Sequence, residues 1–405
     1  MWQKLWAPGP HAAGCATAIS IGLSLAVSAN AQAGPETLAP LLRSRLFFRM
    51  DEIGVVNRGA RYADVLAWKT DADLDGLVGW KGAVAHADLV HTYNERPNRL
   101  ARLVQGVDSS DVRQRRIRLY QAWVEQGLAG GAASLRVGVY DLKSEFARLE
   151  AADQLVNPSF TVAPELAASG PRGAPVFPSS SLGMRLEVRP SSRAYVMAAM
   201  LNARPGAVGE PDGADTAFGD GVLMIGEAGL RGPGKLALGA WRYSRSVPAA
   251  GARPPVSGPM SGAVQGVYAA MELPIERGAD ARPKISLFAR TGLAGGGSAS
   301  FSGSWQAGVK ASHLFDSRPD SSLSLGVTQA APSGPSAHRK GFGGSETVFE
   351  LTYADRPLPF LTVQPDVQWS PNGPRSSTPG GVLVIGIRAT VLLDTARSLA
   401  DDGRP

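Results

Sequence analysis

The sequence predicts an all-β protein: a closed transmembrane antiparallel β-barrel of about 16 strands, with short periplasmic turns and longer extracellular loops. Three observations support this fold class. Apolar and polar residues alternate along repeated segments, the first residues have the composition of an export signal, and the connections between strand candidates alternate in length. After the export signal, no apolar segment approaches the length of a membrane-spanning helix.

Alternation is clearest near the end of the chain, in residues 346–353, 361–369 and 383–393. In the last of these segments, for example, Ile387 is apolar and its neighbour Arg388 is charged. Because successive strand residues point to opposite faces, each segment has one apolar and one polar face. This pattern is typical of a wall between lipid and water. A soluble β-sandwich also shows alternation, but the export signal and the regular loop lengths favour the barrel.

Residues 1–33 resemble a secretory signal peptide, with a positive start at Lys4, a short apolar stretch at Ala16–Ala29 and small residues before the expected cleavage site. The remaining 405 − 33 = 372 residues contain no cysteine and carry a net charge of 41 − 1 − 35 = +5. We expect four parts: a signal peptide at 1–33, an N-terminal periplasmic lead-in at 34–55, an outer-membrane barrel at 56–393 and a polar tail at 394–405.

The strand candidates and their connections follow from alternation and turn residues. The candidates are 59–66, 70–76, 79–91, 113–127, 132–141, 182–189, 194–202, 221–230, 235–246, 263–273, 284–292, 301–315, 321–328, 346–353, 360–369 and 381–393. Short turns are expected at 190–193, 231–234, 316–319 and 355–357, and longer loops at 203–220, 247–262, 329–345 and 370–380. An even strand count leaves both ends of the barrel on the short-turn side.

Other function classes receive little support. The basic run at residues 113–118 indicates the end of a strand at a headgroup surface or a pore mouth, so nucleic acid is not a predicted partner. Residues 229–236 approach a phosphate-binding loop, but Leu236 stands where Ser or Thr is needed. His86 and His91 are five residues apart and point to opposite faces of a strand, which does not suit a metal. We therefore predict no enzyme, cofactor or metal, with an outer-membrane lipase as an open alternative.

The chain resembles the carbohydrate-selective porins of the OprB family. The stretch Leu119-Tyr120-Gln121-Ala122-Trp123-Val124-Glu125-Gln126, the segment Val156-Asn157-Pro158-Ser159-Phe160 and later matches such as Gln364-Pro365-Asp366-Val367-Gln368 carry the likeness. These matches occur in the expected order from about residue 55 to the last strand. The region before Lys81 looks shorter than in many members, and the polar tail replaces the terminal aromatic residue that such proteins usually have.

The resemblance implies a sixteen-stranded porin of the Gram-negative outer membrane through which sugars diffuse without an energy source or covalent chemistry. The partners it implies are small carbohydrates and outer-membrane lipid, and a homo-oligomer is left open. A general or weakly ion-selective porin is the alternative function, and a surface-binding role for the long loops is a third.

Polar positions opposite the apolar ones are the candidates for the inner wall, because a sugar path needs hydrogen-bonding groups and flat apolar surfaces. For the strand around Trp123 the family pattern implies that Tyr120, Ala122 and Val124 face lipid. The pore-lining candidates are Gln121, Trp123, Glu125, Arg136, Arg185, Glu187, Glu350, Gln364, Asp366, Gln368 and Arg388.

The connection at residues 142–181 is the longest and falls third on the long-loop side. Connections of this length are usually functional. We predict that it folds into the barrel as a constriction, with a lid over the mouth as the alternative. Its charged candidates are Lys143, Glu145, Arg148, Glu150 and Asp153.

Overall fold

The computed structural model describes residues 41–170, 172–211, 213–245, 263–277, 283–296, 299–333, 344–371 and 381–394. Within them the chain forms sixteen antiparallel strands that close into one barrel. The strands are β1 (Leu42–Val55), β2 (Gly59–Asp73), β3 (Ala83–Asn94), β4 (Arg116–Leu128), β5 (Ala133–Tyr140), β6 (Ser181–Val188), β7 (Ala194–Asn202), β8 (Val222–Arg231), β9 (Lys235–Tyr243), β10 (Gln265–Arg277), β11 (Pro283–Gly295), β12 (Phe301–Ser312), β13 (Ser322–Pro332), β14 (Glu346–Leu358), β15 (Leu361–Ser370) and β16 (Val382–Asp394).

Each strand pairs with its neighbours in the chain, and β1 closes the barrel against β16. The closing pair runs from Arg45 opposite Asp394 to Val55 opposite Val384. Closure satisfies the backbone hydrogen bonds of both outer strands, which an open sheet in lipid would leave unpaired. The predicted fold class is confirmed.

Four short helices lie in the connections: α1 (Leu74–Val78), α2 (Pro97–Ala101), α3 (Pro158–Thr161) and α4 (Pro164–Ala167), with 3₁₀ turns at Ala129–Gly131 and Leu142–Ser144. Among the described residues, no helix has the length and apolar character needed to cross a bilayer.

The first strands differ from the prediction. Residues 42–55, assigned to a periplasmic lead-in, form β1, and the candidates at 59–66 and 70–76 are the single strand β2. Strand β1 was missed because Phe47 faces inward with the polar residues and the charged Glu52 faces outward, which interrupts the alternation. One missed strand and one divided strand offset each other in the count. The signal peptide at 1–33 and residues 395–405 of the tail lie outside the described residues.

The alternation places apolar side chains outside and polar ones inside. On β16, Ile385 and Ile387 are 54% and 51% exposed to the surroundings of the barrel, whereas the side chains of Arg388 and Val384 are buried. Large exposed apolar residues recur at every second position on the neighbouring strands. An outer surface of this kind suits lipid contact.

The connections follow the predicted asymmetry. At one end, residues 189–193, 232–234 and 359–360 make short turns, and at the other end residues 95–115 and 141–180 make long loops. On the long-loop side, the connections from β1 to β2, at residues 56–58, and from β11 to β12, at residues 296–300, are short exceptions. The two long loops fold inward and pack their apolar residues against the inner wall.

Candidate pore constriction

The connection between β5 and β6, residues 141–180 and here called the constriction loop, crosses the barrel interior. Its backbone N–H at Ala147 donates to Glu227 Oε2 on β8 at 2.7 Å, and its N–H at Asn157 donates to Glu350 Oε2 on β14 at 3.0 Å. These two carboxylates lie on the inner faces of strands on different sides of the wall. The loop therefore spans the lumen, as the constriction hypothesis requires of it.

Arg290 on β11 is the principal wall anchor of the loop. It is buried, and its guanidinium donates to the carbonyl oxygens of Ala147 at 2.7 Å, Ser159 at 2.9 Å and Phe160 at 3.0 Å. The same guanidinium donates to Gln306 Oε1 at 2.8 Å, and Gln306 donates to Ser159 in turn. Our sequence reasoning missed Arg290, although it lies on the polar face of an alternating strand, because the partners are loop carbonyls that have no sequence signal.

The candidates on β14 and β15 point inward as expected but are covered by the loops. Gln364 Nε2 donates to Gln154 O at 2.6 Å, and Gln368 Nε2 donates to Val107 O at 2.7 Å. Buried at this face are Glu350, Gln364, Asp366, Gln368 and, on β16, Arg388. Glu350, Gln364 and Gln368 bond to loop residues, and Arg388 Nη2 lies 3.1 Å from Asp108 Oδ1 of the β3–β4 loop, so the loops cover this face. Contact of these five side chains with a passing solute stays a prediction.

The candidates on β4, β5 and β6 form a network of mixed charge with the loop. Arg185 Nη2 lies 2.8 Å from Glu125 Oε2 and 2.6 Å from Glu145 Oε1, and Arg136 Nη2 lies 2.6 Å from Glu125 Oε2. Arg136 is paired with Arg185 across the β5–β6 ladder, so the two guanidiniums would repel without these carboxylates. Glu187 lies 3.9 Å from Arg185 Nη1 at the periplasmic end of the network.

Trp123 lies on the inner face of β4 between two side chains. The ring of His86 from β3 stacks on it at 4.9 Å between centroids, and Arg136 Cζ from β5 is 3.7 Å from its centroid. Because β3 and β5 flank β4 on opposite sides, the indole is held between the imidazole and the guanidinium. Gly138 is paired with Trp123, and a Cβ there would lie 2.6 Å from the Trp123 Cα, so glycine permits this close approach.

Tyr120 corrects the predicted register of β4. It was expected to face lipid, but it is buried and its hydroxyl donates to Asp141 Oδ2 at 2.6 Å. A β-bulge explains the difference, because Gln121 pairs with Asp88 while Leu119 pairs with the next residue. The extra residue lets both Tyr120 and the buried candidate Gln121 face inward.

Among the five charged loop candidates, Arg148 and Glu150 are exposed to water, whereas Lys143 and Asp153 are partly buried. Arg148 and Glu150 have side chains 47% and 77% exposed, and Arg148 Nε lies 3.6 Å from Asp153 Oδ2. Lys143 Nζ lies 3.9 Å from the same carboxylate, and burial of its ammonium lowers the pKa of Lys143 against the opposing effect of Asp153. Glu145 instead turns to the wall arginines.

A cavity of about 810 Å³ lies between this loop segment and the wall. Wall residues Glu125, Arg136, Arg185 and Glu187, loop residues Ser144, Glu145, Arg148 and Glu150, and the turn at 231–235 line it. Guanidinium donors and carboxylate acceptors therefore alternate around a water-accessible space. Among the described residues, no group of His, Cys, Asp and Glu is arranged to hold a metal ion.

The comparisons with known proteins agree with this architecture. The model of the carbohydrate-selective porin, OprB family, matches residues 57–393. The chain belongs to the OprB family. A direct comparison with curated protein sequences finds no match.

Solved structures show the same fold. OprB of Pseudomonas putida in its high-pH structure aligns with a TM-score of 0.76 at 18% identity, over 88% of this chain and 96% of that one. Its low-pH structure aligns with a TM-score of 0.58 at 17% identity, over 88% and 94% of the two chains. An anion-selective porin from Comamonas acidovorans aligns with a TM-score of 0.51 at 11% identity, over 87% and 98%. The OprB family and the closed barrel identify a porin of the Gram-negative outer membrane.

Proposed function

We propose that this OprB-family porin lets small carbohydrates diffuse passively through its lumen, past the constriction formed by residues 141–180. The observation that carries the proposal is the mixed-charge network joined to the aromatic side chain of Trp123 and open to the cavity beneath the loop. Its guanidiniums and carboxylates supply donors and acceptors that replace the water around sugar hydroxyls. Diffusion of this kind uses no covalent step, so we assign no enzymatic activity and no cofactor.

The alternating charges also suit a general or weakly ion-selective porin, which is the second candidate. Arg148 and Lys143 face Glu150 and Asp153 in the open part of the loop, so the four groups sum to no net charge. A constriction without net charge does not strongly favour anions or cations. Neutral polar solutes then gain most from hydrogen bonds to its side chains.

Liposome swelling separates these functions. Proteoliposomes containing the full barrel are compared in glucose, a disaccharide and an amino acid of matched size. Faster swelling in sugar than in the size-matched amino acid is expected. Rates that follow solute size alone would favour the general porin, and absence of swelling would remove both porin functions. Contact of the apolar outer surface with lipid belongs to the same proposal, and the homo-oligomer stays a prediction.

A further inference from the structure

A second charged site lies at the extracellular end of the barrel, away from the constriction loop. Here a pocket of about 550 Å³ is bounded by the turn after β1 and by the start of the β3–β4 loop. Its charged lining is Arg58, Arg61, Glu95, Arg96, Arg99 and Arg102, with Leu100 as the apolar member. Five arginines and one glutamate give this lining a net charge of +4.

Part of this lining holds the pocket together. Arg58 Nη1 donates to Ala101 O at 2.8 Å and so ties the β1–β2 turn to helix α2. Arg96 Nε lies 2.9 Å from Asp111 Oδ1, which fixes the chain before the helix. Glu95 Oε2 accepts from a backbone N–H of β2 at 3.1 Å. These three side chains therefore act in building the pocket.

The other three arginines have no such role. Arg61, Arg99 and Arg102 are exposed, and among the described residues no carboxylate forms an ion pair with any of them. Within the described part of the chain, the Arg61 guanidinium donates only to the carbonyl oxygen of its neighbour Ala60. Three guanidiniums that share one cavity repel each other, and an anion between them would remove that repulsion.

The backbone of Arg102 has an unusual conformation. Arg102 has φ of +61°, a left-handed conformation that favours glycine over residues with a side chain. The chain thus holds a cationic side chain in an unfavourable backbone conformation at the edge of the pocket. A glycine at this position would keep the turn and remove the charge.

We propose that this pocket is an anion site that binds a phosphate group. The planar guanidinium forms paired hydrogen bonds with phosphate oxygens, and the lining contains arginine and no lysine. The phosphate belongs either to a soluble phosphorylated compound arriving at the mouth or to the phosphorylated headgroup of an outer-leaflet lipid. The pocket shares no lining residue with residues 141–180.

The test uses the full barrel and two probes. Binding of inorganic phosphate is measured by calorimetry in neutral detergent at low ionic strength, where screening is weak. Retention of phosphatidic acid is measured by native mass spectrometry after release from nanodiscs made with phosphatidylcholine. The variants are Arg61→Gln with Arg99→Gln and, separately, Arg99→Gln with Arg102→Gly. The variant with Arg102→Gly places glycine at the residue with positive φ, so this variant is expected to fold.

The control is Arg113→Gln with Arg115→Gln, which removes the same charge from exposed positions of the same loop outside the pocket. Each pocket variant is expected to weaken binding at least about tenfold, because it loses charge-assisted hydrogen bonds, whereas the control stays near wild type. Binding of inorganic phosphate alone identifies a soluble source, and retention of phosphatidic acid alone identifies a lipid headgroup. Absence of binding to either probe, or equal weakening in the control, would overturn the proposal.

Discussion

Arg388 on β16 forms a buried ion pair with Asp51 on β1, directly across the seam that closes the barrel. Both side chains are at most 5% exposed, and Arg388 Nη2 also lies 3.1 Å from Asp108 Oδ1 in the β3–β4 loop. The seam and the loop are therefore joined through one guanidinium. Because burial removes water from these charges, each depends on the others for compensation.

Asp51→Asn should destabilise the barrel strongly, since it removes one partner of a buried pair and leaves the Arg388 charge less compensated. The expected loss in the free energy of unfolding is about 3 kcal/mol or more, measured by reversible urea unfolding in a lipid or detergent host. The control is Arg356→Gln, whose partner Asp320 is 3.7 Å away at the exposed end of the wall. There the loss should stay below about 1 kcal/mol. Equal losses would contradict the role of the seam pair.

We expect the free energy of unfolding to depend on pH through Asp108. Burial, with repulsion from Asp51, raises the pKa of Asp108 to about 7 against the attraction of Arg388. The folded protein then keeps this proton at pH values where the unfolded chain has lost it. The contribution of this proton to stability is complete below about pH 4 and is lost as the pH rises through about 7.

Asp108→Asn should therefore flatten the decrease in the free energy of unfolding between pH 4 and pH 8. The asparagine has nearly the shape of the protonated aspartic acid and does not titrate. Parallel pH profiles for the variant and the wild type would show that other groups cause the dependence.

Arg290→Gln should release the constriction loop from the wall, because the shorter amide cannot replace the guanidinium bonds to three loop carbonyls. Docking of the loop should weaken by about 2 kcal/mol or more. Single-channel recordings in planar bilayers should then show larger or noisier open currents. Arg242→Gln on β9, two strands away from β11, is the matched control, because Arg242 is exposed on the outer face. Unchanged currents in the Arg290 variant would remove its role as an anchor.

Trp123 is expected to act on sugars through Arg136. The indole is already engaged by His86 and Arg136, so its main effect is to hold the guanidinium in place. We expect Trp123→Ala and Arg136→Gln each to raise, several-fold, the disaccharide concentration that halves the ion current.

The double variant distinguishes positioning from direct contact. If Trp123 works through Arg136, the double variant should be no worse than the poorer single variant, with a coupling energy of about 1 kcal/mol. Effects that add would show that the indole contacts the sugar by itself. Trp305→Ala, which removes an outward-facing indole, should leave the current block unchanged.

The alternation of apolar and polar residues correctly predicted which face of most strands points inward, but it did not predict which inward side chains the loops would cover. The inward direction of Glu350 and Arg388 follows from alternation alone, because the side chains of a strand change face at each residue. Tyr120 broke this rule because it is the extra residue of a bulge where β4 pairs with β3, and β1 was missed where Phe47 and Glu52 interrupt the pattern. Both failures arise where pairing or packing with other parts of the chain overrides the local period.

By itself the sequence determined a closed barrel of the outer membrane, its loop asymmetry and the polarity of its two faces, since these depend on residue period and turn composition. Only the tertiary structure decided which inward polar groups meet water. Glu350 and Gln368 are polar wall residues by pattern, but the loops cover them, whereas Glu125 and Arg136 remain next to the cavity. The physical reason is that burial inside a barrel depends on contacts between residues far apart in the chain, and the alternation of a single strand carries no information about what lies across the lumen.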